Sequence, residues 1–215
     1  VDDGSEDNTP DFLSGLMMRS DMMITYARFN ERVGKCRADN LLLDLANTEF
    51  ILFCDSDDVL VKDAIEILIR EWQKVPTEEE DSYIGIIGMC SDNYGKIQSS
   101  SSKGFTKINS QWEAISNQFH MEGDMCILIK RLDIGESRFP EHDLVMTESG
   151  FWNNFMTSKV ICIPNIVKIM NREVENRVSG THRMEYCRGK AYAIAYADSN
   201  KFNSLTIKKQ IKISS

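Results

Sequence analysis

The sequence predicts an α/β fold, a Rossmann-like mixed sheet flanked by helices, and three observations lead to it. Short apolar runs alternate with stretches of helical periodicity through the first two-thirds of the chain, the pattern of βαβ units with several parallel strands. The run over residues 49–54 has no polar alternation, as expected of a strand covered on both faces. Two dense acidic clusters, 2–5 and 55–58, come directly after such runs, at the strand ends where open α/β sheets bind ligands.

In chain order, Val1 closes a strand-like start and a helix is predicted over 10–20, followed by a strand over 22–26. The next helix spans 35–46, with Ala38, Leu41, Leu42 and Leu45 on one stripe. After the strand at 49–54, an amphipathic helix covers 61–74, where Ala64, Ile65, Leu68, Ile69 and Trp72 recur at helical spacing. A strand over 83–90 follows. The polar stretch 91–104, with four consecutive serines from Ser99, reads as a loop within the domain. Beyond it come a short helix near 111–117, a strand over 125–130, a helix over 148–155, a strand over 160–163 and a helix over 182–200. The chain thus reads as one domain in two halves, 1–90 and 91–200, with a basic tail over 201–215 that carries Lys201, Lys208, Lys209 and Lys212 and no acid.

At 215 residues and 42% apolar content the chain is long and hydrophobic enough for a packed core, which excludes a disordered tail and a disulfide-stapled miniprotein. Lys+Arg 25 against Asp+Glu 33 leaves a net charge of -8. Nucleic acid is therefore not an expected partner, because phosphate binding needs a basic footprint; a divalent cation is. The six cysteines are widely spaced without a CxxC and sit mostly in apolar runs, the usage of a reducing compartment. No run of 18 apolar residues occurs, and neither a spanning helix nor a secretory route is expected. The expected location is cytoplasmic, with peripheral contact at the inner face of the membrane left open.

The acidic clusters carry the chemistry. Asp55 and Asp57, with Ser56 between them, present several hard oxygens in one tight turn, which suits Mn²⁺ or Mg²⁺ holding a diphosphate. Plain turn chemistry is the alternative for these residues, and Asp58 is a candidate cap for the following helix. Both clusters are expected to converge on one crevice.

Three strings, VDDGSEDNT, GKCRADN and FILFCDSDDVL, in this order and spacing, resemble the family 2 glycosyltransferases, inverting nucleotide-sugar-dependent enzymes of GT-A fold. The resemblance covers residues 1–75 well and the remainder loosely. It implies that Asp2 and Asp3 recognise the nucleotide base, that Lys35 approaches the nucleotide or its phosphates, that Asp55 lies near the ribose and the metal, and that Asp57 coordinates the cation bridging both phosphates. It further implies a nucleotide diphosphate sugar donor, a UDP-sugar first among them, and a glycan or lipid-linked acceptor in polysaccharide biosynthesis. The family carries a Glu-Asp pair at a helix start in its second half; here Glu148 is the candidate base, with Ser149 where the Asp would stand, and Asp143 and Asp124 in reserve. His120 and His142 receive no role. The family's first strand and helix have no counterpart before Val1, so either upstream residues complete the fold or the domain is degenerate and only binds.

A different enzyme class is also in view. FCDSDDVL resembles the signature of haloacid-dehalogenase-like phosphatases, in which the first Asp is the nucleophile. That chemistry needs a later acidic pair, and the candidate beginning at Gly123 has Leu128 in place of the second acid.

Overall fold

The computed structural model describes residues 1–98, 107–119, 124–141, 148–171 and 173. In chain order its helices and strands are α1 (Thr9–Arg19), α2 (Lys35–Leu45), β1 (Phe50–Leu52), β2 (Val59–Leu60), α3 (Ala64–Trp72), β3 (Gly85–Asp92), β4 (Ile108–Gln111), α4 (Trp112–Phe119), β5 (Met125–Lys130), α5 (Arg131–Ile134), α6 (Ser149–Trp152) and β6 (Lys159–Met170). Two compact units are formed. The first contains Val1–Ala46 and Ser137–Asn153; the second contains Asn47–Glu136 and Asn154–Arg177. The predicted helix over 182–200 and the tail over 201–215 lie outside the described residues.

All six strands among the described residues belong to the second unit, in the order β1-β5-β3-β6-β2 with β4 also paired to β6. The mixed sheet agrees with the sequence reading, but its directions do not. Among these strands only β3 and β6 run parallel; β5 pairs antiparallel with both β1 and β3, and β2 and β4 pair antiparallel with β6. A continuous apolar run reports burial on both faces and carries no information about direction. The strand covered on both faces is β3, buried from Gly85 to Ser91, whereas Phe50, Ile51 and Leu52 of β1 are only half-buried.

Strand β6 is much longer than the predicted 160–163. Pro164 ends the sequence signal because it has no N–H to donate. In the structure Pro164 and Asn165 turn outward to solvent, and the register against β3 shifts between Ile87 and Met89, opposite Cys162 and Ile166. The strand crosses its proline through an irregularity and continues to Met170.

The predicted strand over 22–26 does not form. Met22 and Met23 are 71% and 96% exposed, and an apolar run without a sheet to cover it gains nothing by extending. The only bridge here is the isolated parallel pair Asp2–Arg28.

Helix α3 covers the sheet with Ala64, Leu68 and Trp72, which pack with Ile86, Cys90, Leu128, Ile161, Ile163 and Val167. Trp72 meets Phe50 edge to face at 5.3 Å. Ile65, counted on the same stripe, points to solvent. In α2 the stripe is displaced too: Cys36, Ala38, Asp39, Asn40 and Leu43 are buried, while Leu42 and Leu45 are exposed. The buried face of α2 carries polar side chains, which a hydrophobic stripe cannot anticipate. Cys36, Cys90, Cys126 and Cys162 are buried thiols outside any disulfide; burial pushes Cys90 and Cys162 up to about 12. No helix among the described residues is long and apolar enough to cross a membrane.

The two faces of α3 give a direct test. Leu68→Ala is expected to cost about 2–5 kcal/mol and Ile65→Ala less than about 0.5 kcal/mol, read from urea unfolding midpoints at constant m-value.

Candidate functional site

In the first unit, the bend at Val1–Ser5 is built around two carboxylates with different surroundings. Asp2 is 4% exposed. Its Oδ1 accepts from the Ser5 N–H at 2.8 Å and its Oδ2 from the Tyr26 hydroxyl at 2.8 Å, with Arg28 Nε at 3.2 Å. Hydrogen bonds from Ser5, then from Tyr26, with the Arg28 charge beside them, outweigh burial and hold the carboxyl down at about 2. Asp3 faces the other way: its Oδ1 accepts from the N–H groups of Val33 at 2.7 Å and Gly34 at 3.0 Å, and its side chain stays 26% exposed. Gly4 sits at φ 71°, and a Cβ there would come within 2.5 Å of the Glu31 carbonyl carbon, so only glycine lets the bend approach the segment before α2 so closely.

That segment delivers Lys35 as the first residue of α2. Lys35 Nζ lies 3.2 Å from Asp39 Oδ2 and 3.4 Å from Glu148 Oε1, and Trp152 donates its indole N–H to Glu148 Oε2 at 3.2 Å. Lys35 and Glu148, far apart in the sequence and carrying separate expected roles, are thus in contact. Glu148 precedes α6 without capping it by its side chain. Both partners are about 40% exposed, 45% and 38%, and such a pair contributes only about 0–1 kcal/mol; it orients groups more than it stabilises them.

The alignment of α2 against the later segment is enforced by a residue to which the sequence reading assigned no role. Asn40 donates to the Phe139 carbonyl at 3.0 Å and to Glu141 Oε1 at 2.7 Å, and accepts from the Phe139 N–H at 2.8 Å. One amide side chain replaces a strand partner for Phe139. Arg37 pairs with Glu141 at 3.5 Å and Arg138 with Asp44 at 2.9 Å, while the Phe139 ring stacks on Phe151 at 4.0 Å. Asp39 and Asn40 are part of the quoted string GKCRADN; their signal was polarity on the face of α2 that also carries Cys36 and Leu43.

In the second unit, the turn after β1 is closed by the Asp58 N–H donating to the Asp55 carbonyl at 3.0 Å. Asp55 and Asp57 are half-buried within it. Asp58 does not cap α3. Asp63 stands at the cap position, and Asp58 Oδ2 instead pairs with Lys168 Nζ of β6 at 2.8 Å, both side chains buried. Burial opposes the charged ammonium of Lys168, but its bond to Asp58 prevails and raises its affinity for the proton.

Two carboxylates two residues apart on a closed turn fit Mn²⁺ or Mg²⁺, which take one or two protein carboxylates and fill the remaining positions with phosphate oxygens and water. The described residues contain no group of three or more metal-ligating side chains, so such a cation would share its shell with a substrate. Asp124, a reserve for the base, lies in the second unit just before β5; Asp143, His120 and His142 lie outside the described residues.

The class of fold is settled by likeness to solved structures. TarS 1-349 of S. aureus superposes with a TM-score of 0.55 at 14% identity, over 99% of this chain and 64% of that one. A mannosyltransferase of Pyrobaculum calidifontis, solved with GDP-Man and Mn²⁺, gives 0.55 at 17% identity, over 98% of this chain and 56% of its own. These are GT-A folds, and the architecture here is of that kind. The glycosyl transferase family 2 model matches residues 1–134, and the chain belongs to that family. The glycosyltransferase GlyG of Streptococcus pneumoniae serotype 4 is 33% identical over 85 residues, 40% of this chain and 27% of that protein. The chain spans less than two-thirds of the length of each of these relatives. Family membership removes the phosphatase alternative, in which Leu128 stood in place of the required second acid.

Two outcomes are expected for the first unit. Asn40→Ala orphans both backbone groups of Phe139 and should cost about 1–3 kcal/mol in thermal or urea unfolding. The stability that Asp2 contributes is present above the unfolded carboxylate value of about 3.9 and is lost as pH falls toward about 2. Asp2→Asn should flatten the acid limb of the stability-pH curve in that window.

Proposed function

We propose that the chain is the donor-binding and catalytic region of a metal-dependent glycosyltransferase that moves a sugar from a nucleotide diphosphate sugar to a hydroxyl of a glycan or lipid-linked acceptor with inversion. The contact of Lys35 with Glu148 is the observation that carries this reading. It brings together a cation suited to donor phosphates and a carboxylate suited to an acceptor proton.

In this reading Glu148 Oε1 or Oε2 takes the proton of the acceptor hydroxyl as its oxygen attacks the anomeric carbon from the face opposite the leaving nucleoside diphosphate. Trp152 keeps the carboxylate aimed, and Lys35 moves between Glu148 and the donor phosphates. Asp3, the more exposed acid of its bend, contacts the base, and Asp2 braces that bend from beneath. Asp55 and Asp57 would hold Mn²⁺ or Mg²⁺, Asp55 also approaching the ribose; when bound, the cation neutralises charge growing on the diphosphate.

The nucleotides bound in two similar structures, GDP-Man in the mannosyltransferase and UDP in a second TarS structure at TM-score 0.51, support a nucleotide sugar donor here. A UDP-sugar is the first candidate. Surface polysaccharide assembly at the cytoplasmic face of a membrane is the setting we assign. Ser149 in place of the family's Asp favours a second reading, a domain that binds donor without transferring it.

Calorimetry with Mn²⁺ and a nucleotide panel tests the first step, and the absence of any Mn²⁺-dependent nucleotide binding would overturn both readings. Glu148→Gln should keep donor affinity while turnover falls by about 10²–10⁴-fold; unchanged turnover would place the base elsewhere. Donor binding without transfer or donor hydrolysis in the unmutated chain would select the binding-only reading.

A further inference from the structure

Lys168 arises from β6, a strand whose other buried residues are apolar, and reaches Asp58 at the end of the turn that carries Asp55 and Asp57. Strand β2 starts directly after Asp58 and pairs with β6, Leu60 opposite Lys168 and Val59 opposite Ile169, and the Val61 N–H donates to the Val167 carbonyl at 3.0 Å. This ladder sets the distance between Lys168 and Asp58. The side chains of the resulting pair are 9% and 5% exposed, with Nζ to Oδ2 at 2.8 Å.

Burying two opposite charges is costly, and apolar residues of similar size in their place are often neutral or stabilising. Stability alone therefore does not account for the pair. What it does is immobilise Asp58, whose N–H closes the turn on the Asp55 carbonyl at 3.0 Å. Cys54 holds the same ring from its other end, its thiol donating toward the carbonyls of Asp55 at 3.6 Å and Asp58 at 3.8 Å. Any movement of Asp58 would be passed to the two carboxylates preceding it. The ammonium also offsets one of three adjacent aspartate charges.

We propose that Lys168 is a positioning residue for the Asp55–Asp57 turn: by gripping Asp58 from the sheet it presents the two carboxylates as a preformed half-shell for a divalent cation. The proposal rests on the cation-binding reading of Asp55 and Asp57. Lys168 touches neither the cation nor the substrate; it acts through Asp58, as outer partners of metal ligands do.

The experiment compares the wild-type chain with K168M and with the double variant K168M/D58L, which removes both charges and leaves no unpaired one buried. Mn²⁺ alone and Mn²⁺ with UDP are titrated by electron paramagnetic resonance, hydrogen exchange is followed at residues 55–58, and thermal unfolding is recorded. Expected are a near wild-type melting temperature for the double variant, an Mn²⁺ affinity lower by roughly 10–100-fold, and faster exchange across the turn. A folded double variant with wild-type affinity and exchange would overturn the proposal. A double variant that does not fold would assign the pair to stability and would overturn it equally. Wild-type chain that binds no Mn²⁺ would remove the cation reading of Asp55 and Asp57; the exchange rates would then decide alone whether Lys168 holds the turn.

Discussion

The parallel pairing of β6 with β3 is the constraint on which the second unit depends. It places a strand of twelve residues, Lys159–Met170, beside the most deeply buried strand of the sheet, and everything else in the unit is referred to it. Strands β2 and β4 take their register from β6, and α3 packs over both central strands. The turn bearing Asp55 and Asp57 is held between β1 and β2, so its position is set by a strand more than a hundred residues further along the chain.

In the first unit the comparable organiser is α2. Its N-terminus is met by the Asp3 carboxylate, which accepts from the backbone of Val33 and Gly34, and its buried face holds Asn40 against the backbone of Phe139. Neither contact depends on apolar burial. A buried amide or carboxylate must find partners of fixed geometry, so these polar anchors specify one alignment where apolar packing would tolerate several. The contact of Lys35 with Glu148 is a consequence of that alignment.

Acidic character runs through both units, and several of the acids are paired with a basic side chain. Asp2, Asp39 and Asp58 are buried and matched with Arg28, Lys35 and Lys168. Asp3, Asp55 and Asp57 are only half-buried. The sequence, in which all six are aspartates, shows none of these pairings.

What the sequence determined by itself was local. The helices at Thr9–Arg19 and Lys35–Leu45, the strand Met125–Lys130 and the family strings were legible because propensity, periodicity and turn chemistry act over a few residues. Strand direction, the continuation of β6 past Pro164, the failure of 22–26 to extend, and the partners of Asp58 and Asn40 were decided by the tertiary structure. Each of these depends on which distant backbone or charge arrives alongside, and a single string of residues carries no term for that encounter.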